Sequence, residues 1–192
     1  MIRLGITGGI GSGKSFVAIL LRGMGVPVYD TDSAAKRLMT EDVVIVSQLT
    51  ELLGAEAYVD GKLNKPLVAQ FLFRNQQNAQ IINSIVHPRV KADFVKWASL
   101  HKEEIVGMEC AILFESGMDT VVDKVLTVSA PYELRLKRAM NRDGVSREKI
   151  EVRIRAQMPE EEKINRSDYV LMNDGSVDLQ QHLACLLDEI AK

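Results

Sequence analysis

Apolar residues from Ile2 to Thr7 form a short run that opens into Gly8-Gly9-Ile10-Gly11-Ser12-Gly13-Lys14-Ser15. After Lys14, the residues Phe16, Val17, Ile19, Leu20 and Leu21 recur at helical spacing, and Gly23-Met24-Gly25 carries a C-cap signal. Val26-Pro27-Val28-Tyr29 reads as a second short strand, ending at Asp30-Thr31-Asp32. Strand, helix and strand in so short a span make a βαβ unit with a right-handed crossover.

From Ser33 to Leu100 the pattern is almost wholly helical. It predicts helices over Ala34–Met39 and Val43–Leu53, a turn at Asp60-Gly61, and a helix from Lys65-Pro66, with Pro in its first turn. A long helical stretch from Gln76 to Leu100 is expected to break at His87-Pro88. So much helix between two strands exceeds a plain crossover, and part of it reads as an inserted binding surface. Ile105 to Leu113 is nearly continuous in apolar residues, as a central strand buried on both faces requires. Val121-Val122 and Val125–Val128 predict another strand region, and Tyr169–Met172 a last one. Helices are expected from Pro131 to about Asn141, from Ser146 with Glu148 in its first turn, and from Ser176 to the end. The alternation predicts an α/β fold with a five-stranded, mostly parallel sheet flanked by helices, and the glycine run from Gly8 to Ser15 between its first strand and helix marks a P-loop NTPase core.

Composition changes this picture little, and charge changes it more. The 192 residues suit a single domain without disulfide staples. Cys110 and Cys185 make no metal or redox spacing, and Cys110 reads as a buried small hydrophobe. No signal-peptide layout and no apolar run of membrane-spanning length is evident, so a cytoplasmic protein with reduced thiols is expected. Lys and Arg number 24 against 26 Asp and Glu, a net charge of −2 that argues against nucleic acid as partner. Residues 135–155, however, hold eight basic residues and three acids, or +5, which leaves −7 for the rest.

Gly8 to Ser15 fits G-x-x-x-x-G-K-[ST] between a strand and a helix, the setting in which that motif cradles phosphate. Glycines let the backbone turn its N–H groups inward, and the helix N-terminus adds positive potential. The ATP-binding residues are therefore placed at Gly9, Ile10, Gly11, Ser12, Gly13, Lys14, Ser15 and Phe16. Lys14 is expected to reach the β- and γ-phosphates, and the Ser15 hydroxyl to ligate Mg²⁺ brought with ATP. Arg138 and Arg142 lie four apart on one helix face and are expected to grip the same phosphate group. Asn165-Arg166-Ser167-Asp168 resembles a guanine-reading motif only superficially, because it follows a charged helical stretch and not an apolar strand. A small phosphotransferase fits better than a GTPase or a motor. A kinase of nucleoside monophosphates or a small alcohol, and a nucleotide-binding switch without transfer activity, are the alternatives.

The residues now carry a closer resemblance. Ile6 to Ser15, Val28 to Asp32, His87-Pro88, Ile112-Leu113-Phe114-Glu115, Arg138 to Asp143, Arg153 to Gln157, Asp168 and Asn173 occur in the order seen in dephospho-CoA kinases, and the chain resembles that family from residue 2 to 175. Phe16, Ala111 and Ser167 depart from the family's usual Thr, Pro and Ala, removing no group that the chemistry needs. The resemblance implies transfer of the ATP γ-phosphoryl to the ribose 3′-hydroxyl of dephospho-CoA. Lys14, Arg142 and Asp32 are then the catalytic residues, Asp32 as base, with Asp30 open as an alternative and helix capping as the plainer role of Asp32. Asp32, His87 and Glu115 are assigned to the acceptor, although an X-Pro helix break alone explains His87. Glu109 and Glu115 are read as the two ends of a strand over Ile105–Phe114, serving Mg²⁺ or the acceptor or simply facing solvent. One domain over 1–192 is expected, with its core at about 1–32, 101–134 and 166–192, a helical acceptor-binding insertion within about 55–100, and a basic lid over about 135–165. ATP and dephospho-CoA are the expected partners, with neither nucleic acid nor membrane, and the chain is expected to be a monomer or a weak homo-oligomer.

Overall fold

Strand β1 (Ile2–Thr7) leads through the glycine loop into α1 (Lys14–Gly23), and β2 (Val28–Asp30) follows. Then come α2 (Thr31–Glu41), α3 (Val43–Leu53), the hairpin strands β3 (Tyr58–Val59) and β4 (Lys62–Leu63), α4 (Lys65–Arg74) and α5 (Gln76–Ser99). The remainder is β5 (Ile105–Glu109), β6 (Lys124–Ser129), α6 (Tyr132–Asp143), α7 (Arg147–Arg155), α8 (Glu160–Asn165), β7 (Tyr169–Met172) and α9 (Leu179–Ile190). The computed structural model describes the backbone of residues 1–192 and the side chains of all but Phe73 and Gln76. No described helix is long and apolar enough to cross a membrane.

The chain divides into two compact units, one of Met1–Asp30 with Trp97–Lys192 and the other of Thr31–Lys96. The first holds a five-stranded sheet in the order β2-β5-β1-β6-β7, with every pair parallel. Ile6 pairs with both Glu109 and Leu126, so the carboxyl ends of β1, β5 and β6 gather at one edge, where ligands of open α/β sheets bind. Leu4 and Ile6 of β1, Val17 and Leu21 of α1, and Leu183 and Ile190 of α9 pack into one core cluster. This fixes the base of the glycine loop.

The second unit is helical apart from its hairpin, and its extent from Thr31 to Lys96 is wider than the stretch of about 55–100 read from the sequence. Asp42 caps α3, accepting from the backbone N–H groups of Val44 and Ile45, and also pairs with Arg89 at 2.7 Å. Asn64 caps α4 with Pro66 in its first turn, as expected. The Asp60-Gly61 turn joins β3 to β4, both residues having positive φ.

Four sequence expectations change. Helix α5 continues through His87-Pro88, because Pro88 lies on the outer face opposite buried Ile82, Val86, Val90 and Phe94. The carbonyl it leaves unbonded belongs to Ser84, an exposed residue that water can serve. Strand β5 ends at Glu109, and the apolar residues beyond it turn inward, with Ser116 N–H donating to Ile112 and Met118 N–H to Leu113. A continuous apolar run reports burial, which a strand and a buried turn satisfy equally. Glu115 therefore lies in a loop and not at a strand end. Met118–Val121 is a 3₁₀ turn, not strand. Asp178, not Ser176, caps α9, accepting from Gln180 and Gln181 N–H, while Ser176 bonds Asp174.

Candidate active site

The glycine loop is shaped by three left-handed or otherwise positive φ angles, at Gly8, Gly11 and Gly13. At Gly11 a Cβ would stand 2.0 Å from the Arg135 carbonyl oxygen, so contact with α6 and backbone conformation both require glycine there. Three polar contacts then pin the loop from elements far along the chain, and a fourth holds one of the anchors. Arg135 Nε donates to the Ile10 carbonyl at 3.1 Å, and Ile10 N–H donates to Gln157 Oε1 at 3.1 Å. Asn173 Nδ2 donates to the Ser12 carbonyl at 2.8 Å, and Arg138 Nη1 to the Asn173 carbonyl at 2.9 Å. The Ile10 side chain rests on Leu136, Ala139 and Ile150, where α6 meets α7.

Around the loop lies a cavity of about 200 Å³, lined by Gly9, Gly11, Gly13, Lys14, Ser15, Arg138 and Arg142 among others. The structure thus brings the loop and both predicted arginines to one place. Such a cavity offers backbone N–H groups, one ammonium and two guanidiniums to a polyphosphate. Phe16, in the first turn of α1, is half exposed. Arg142 is itself held by Asp143 at 2.7 Å, and Arg153 reaches the same carboxylate at 2.5 Å. Those hydrogen bonds, from Arg142 and then Arg153, pull the Asp143 carboxyl down to about 2.

At the end of β5, the Ser15 hydroxyl donates to Glu109 Oε1 at 2.5 Å, and Lys14 Nζ stands 3.8 Å from the same oxygen. A hydroxyl and a carboxylate are hard oxygen donors, the set that suits Mg²⁺ sharing a site with substrate phosphates. Sequence reasoning weighed Glu109 only beside Glu115, and the structure separates them. Glu115 accepts from Met158 N–H and from the fully buried Lys163, each at 2.9 Å, and Lys163 also donates to the Ala111 carbonyl. It therefore ties the loop after β5 to α8. Arg135, counted in the basic lid, is also a tether: it is almost wholly buried and ion-paired with Glu160. Asn173 and Gln157 stand out in the sequence only through the resemblance, and no local pattern marks them as loop anchors.

Asp32 and His87 lie in the helical unit. Asp32 is exposed in the first turn of α2, two residues beyond the end of β2. His87 lies inside α5, and burial lowers its pKa from the ordinary value, favouring the neutral ring.

A family model described as dephospho-CoA kinase matches residues 2–178. The chain belongs to the dephospho-CoA kinase family. It is 51% identical to a dephospho-CoA kinase of Bacteroides fragilis, over 93% of this chain and 87% of that protein. It is 40% identical to one of Thermus thermophilus, over 98% and 92% respectively. Among solved structures, TT1252 from Thermus thermophilus superposes with a TM-score of 0.83 at 40% identity, over 98% of this chain and 97% of that one. A dephospho-CoA kinase from Campylobacter jejuni gives 0.72 at 25% identity, over 98% and 96%. A shikimate kinase from Bacteroides thetaiotaomicron, 16% identical with a TM-score of 0.54, shares the fold alone. The chain is therefore an ATP-dependent phosphotransferase.

Proposed function

We propose that this chain transfers the γ-phosphoryl group of ATP to the ribose 3′-hydroxyl of dephospho-CoA, forming CoA and ADP in the cytoplasm. The observation that carries this reading is the loop cavity with Lys14, Arg138 and Arg142 around it, in a chain matched over residues 2–178 by the family. Lys14 and the loop amides hold the donor phosphates. Arg138 and Arg142 oppose the charge spread over the transferring group, which catalysis of a loose transition state requires. Mg²⁺, when bound with ATP, neutralises the β- and γ-oxygens, and Ser15 with Glu109 would hold it. Asp32 takes the proton of the attacking 3′-hydroxyl, and His87 and Glu115 remain proposed acceptor contacts.

The test is ADP release measured with dephospho-CoA, adenosine, AMP and shikimate as separate acceptors. Turnover is expected with dephospho-CoA far above the others. Turnover on AMP with none on dephospho-CoA overturns the reading.

A further inference from the structure

Helix α6 ends at Asp143, and a carboxylate in the last turn of a helix meets the negative end of the backbone dipoles. Helix stability therefore does not account for this residue. Two guanidiniums offset its charge. Arg142 donates from Nε to one Asp143 oxygen at 2.7 Å and from Nη2 to the other at 3.2 Å. Arg153 Nη1 reaches that second oxygen at 2.5 Å. The turn out of α6 brings Arg153 there: Gly144, at φ 64°, closes the helix, and Ile150 of α7 packs on Leu136 and Ala139.

A guanidinium carries five N–H bonds. Asp143 takes Arg142 by the edge formed by Nε and Nη2, which leaves both Nη1 protons and one Nη2 proton. Those are a pair of N–H groups able to bind a phosphate with two parallel hydrogen bonds. Arg142 is among the residues that line the loop cavity, and neither Asp143 nor Arg153 is. The Arg142 side chain is 57% exposed, so with no partner its rotatable bonds would scatter the charge over many positions. Asp143 by itself would also cancel that charge. With Arg153 the three side chains sum to +1, so Arg142 is oriented and the cavity keeps a positive charge beside it.

We propose that Asp143 is a positioning residue for phosphoryl transfer: it holds Arg142 by one edge so that the other meets the nucleotide's phosphates, and Arg153 restores the charge that Asp143 would otherwise remove. The proposal rests on the function proposed above and deepens it by naming what keeps Arg142 ready at the transferring group. A cation fixed before the reaction needs no rearrangement as charge develops.

The test is a double-mutant cycle on the full chain, combining Asp143→Asn with Arg142→Ala. It is read as affinity for a non-hydrolysable ATP analogue with Mg²⁺, by calorimetry, and as kcat with dephospho-CoA. Asp143→Asn is expected to cost about tenfold in both quantities when Arg142 is present, and less than about twofold in the Arg142→Ala background. A merely structural role gives the same loss in both backgrounds, and that result overturns the proposal. Arg153→Gln, a change at an exposed position, keeps the test available if Asp143→Asn does not fold. It is expected to weaken analogue affinity by about threefold although Arg153 lies outside the cavity lining, and an unchanged affinity overturns the proposal. The affinity measurements need no acceptor, so they decide the role of Asp143 in either case, whereas absence of wild-type turnover on dephospho-CoA overturns the function itself.

Discussion

The Glu109 carboxylate accepts from the Ser15 hydroxyl and stands beside the Lys14 ammonium. Holding the hydroxyl by its proton leaves a serine lone pair to face a metal, and the negative charge raises the ligand's donor strength. Glu109→Gln keeps a side chain of the same shape and removes the charge. It is expected to raise the Mg²⁺ concentration needed for half-maximal rate by about 10–100-fold, the usual loss when such a supporting partner is removed. A Mg²⁺ titration at fixed ATP measures it, and an unchanged midpoint excludes the role. Asp32→Asn is expected to lower kcat by about 10²–10⁴-fold, the usual contribution of a general base, with ATP affinity nearly intact. If kcat stays within about threefold, the base is another group, with Asp30 the next to replace. Both carboxylates stood out in the sequence by their place at an apolar strand, Asp32 just after one and Glu109 at an end of another. Their difference did not, since which one faces the P-loop serine is decided by the parallel register of β5 on β1.

The helices after β6 show where charge counting stops being informative. Eight basic residues between 135 and 155 look like one cationic surface. The structure gives Arg135 to Glu160, Arg147 to Glu133 and Glu151, and Arg153 to Asp143. Glu133 and Glu160 lie just outside the counted stretch, so no window over the basic run reveals them. Arg138 and Arg142 remain at the cavity, and their spacing was legible because i and i+4 share a helix face. Asp143 makes this region pH-sensitive. Its folded pKa of about 2 lies below the ordinary carboxylate value, so its stabilising contribution is whole above that value and vanishes as pH falls toward the folded one. The difference in melting temperature between wild type and Asp143→Asn is therefore expected to shrink between about pH 4 and about pH 2. Thermal melts across that window check it, and a gap that stays constant rules it out. Element ends were the least legible feature. Pro88 within α5 and the early end of β5 both follow from which side faces solvent, which a linear pattern does not carry.

For the whole molecule, a net charge of −2 gives two polyanionic substrates no general attraction. In the function proposed above, ATP is held by local cations, Lys14, Arg138 and Arg142 around the loop. Fields of this reach are screened by salt. Raising ionic strength from about 0.01 to about 0.1 M shortens the screening length from about 30 to about 10 Å and is expected to raise KM for ATP at constant free Mg²⁺. A KM that does not respond shows that short-range contacts alone hold the nucleotide. The βαβ opening and the glycine motif were legible because they are contiguous. The bounds of the helical unit, Thr31 to Lys96, are not carried by any local pattern, since compactness depends on packing between α2, α3 and α4.

The clamps on the glycine loop also bear on vectorial synthesis. Ile10 waits for Arg135 and Gln157, 125 and 147 positions later, and Ser12 waits for Asn173, 161 positions later. β1, the centre of the sheet, likewise needs both β5 and β6 before it is enclosed. A ribosome-bound nascent chain that has displayed the whole motif still lacks the later residues that clamp the loop. Closing such distant contacts comes late in folding. The stretch translated first is fully clamped only when the last strand, β7, has brought Asn173 to it.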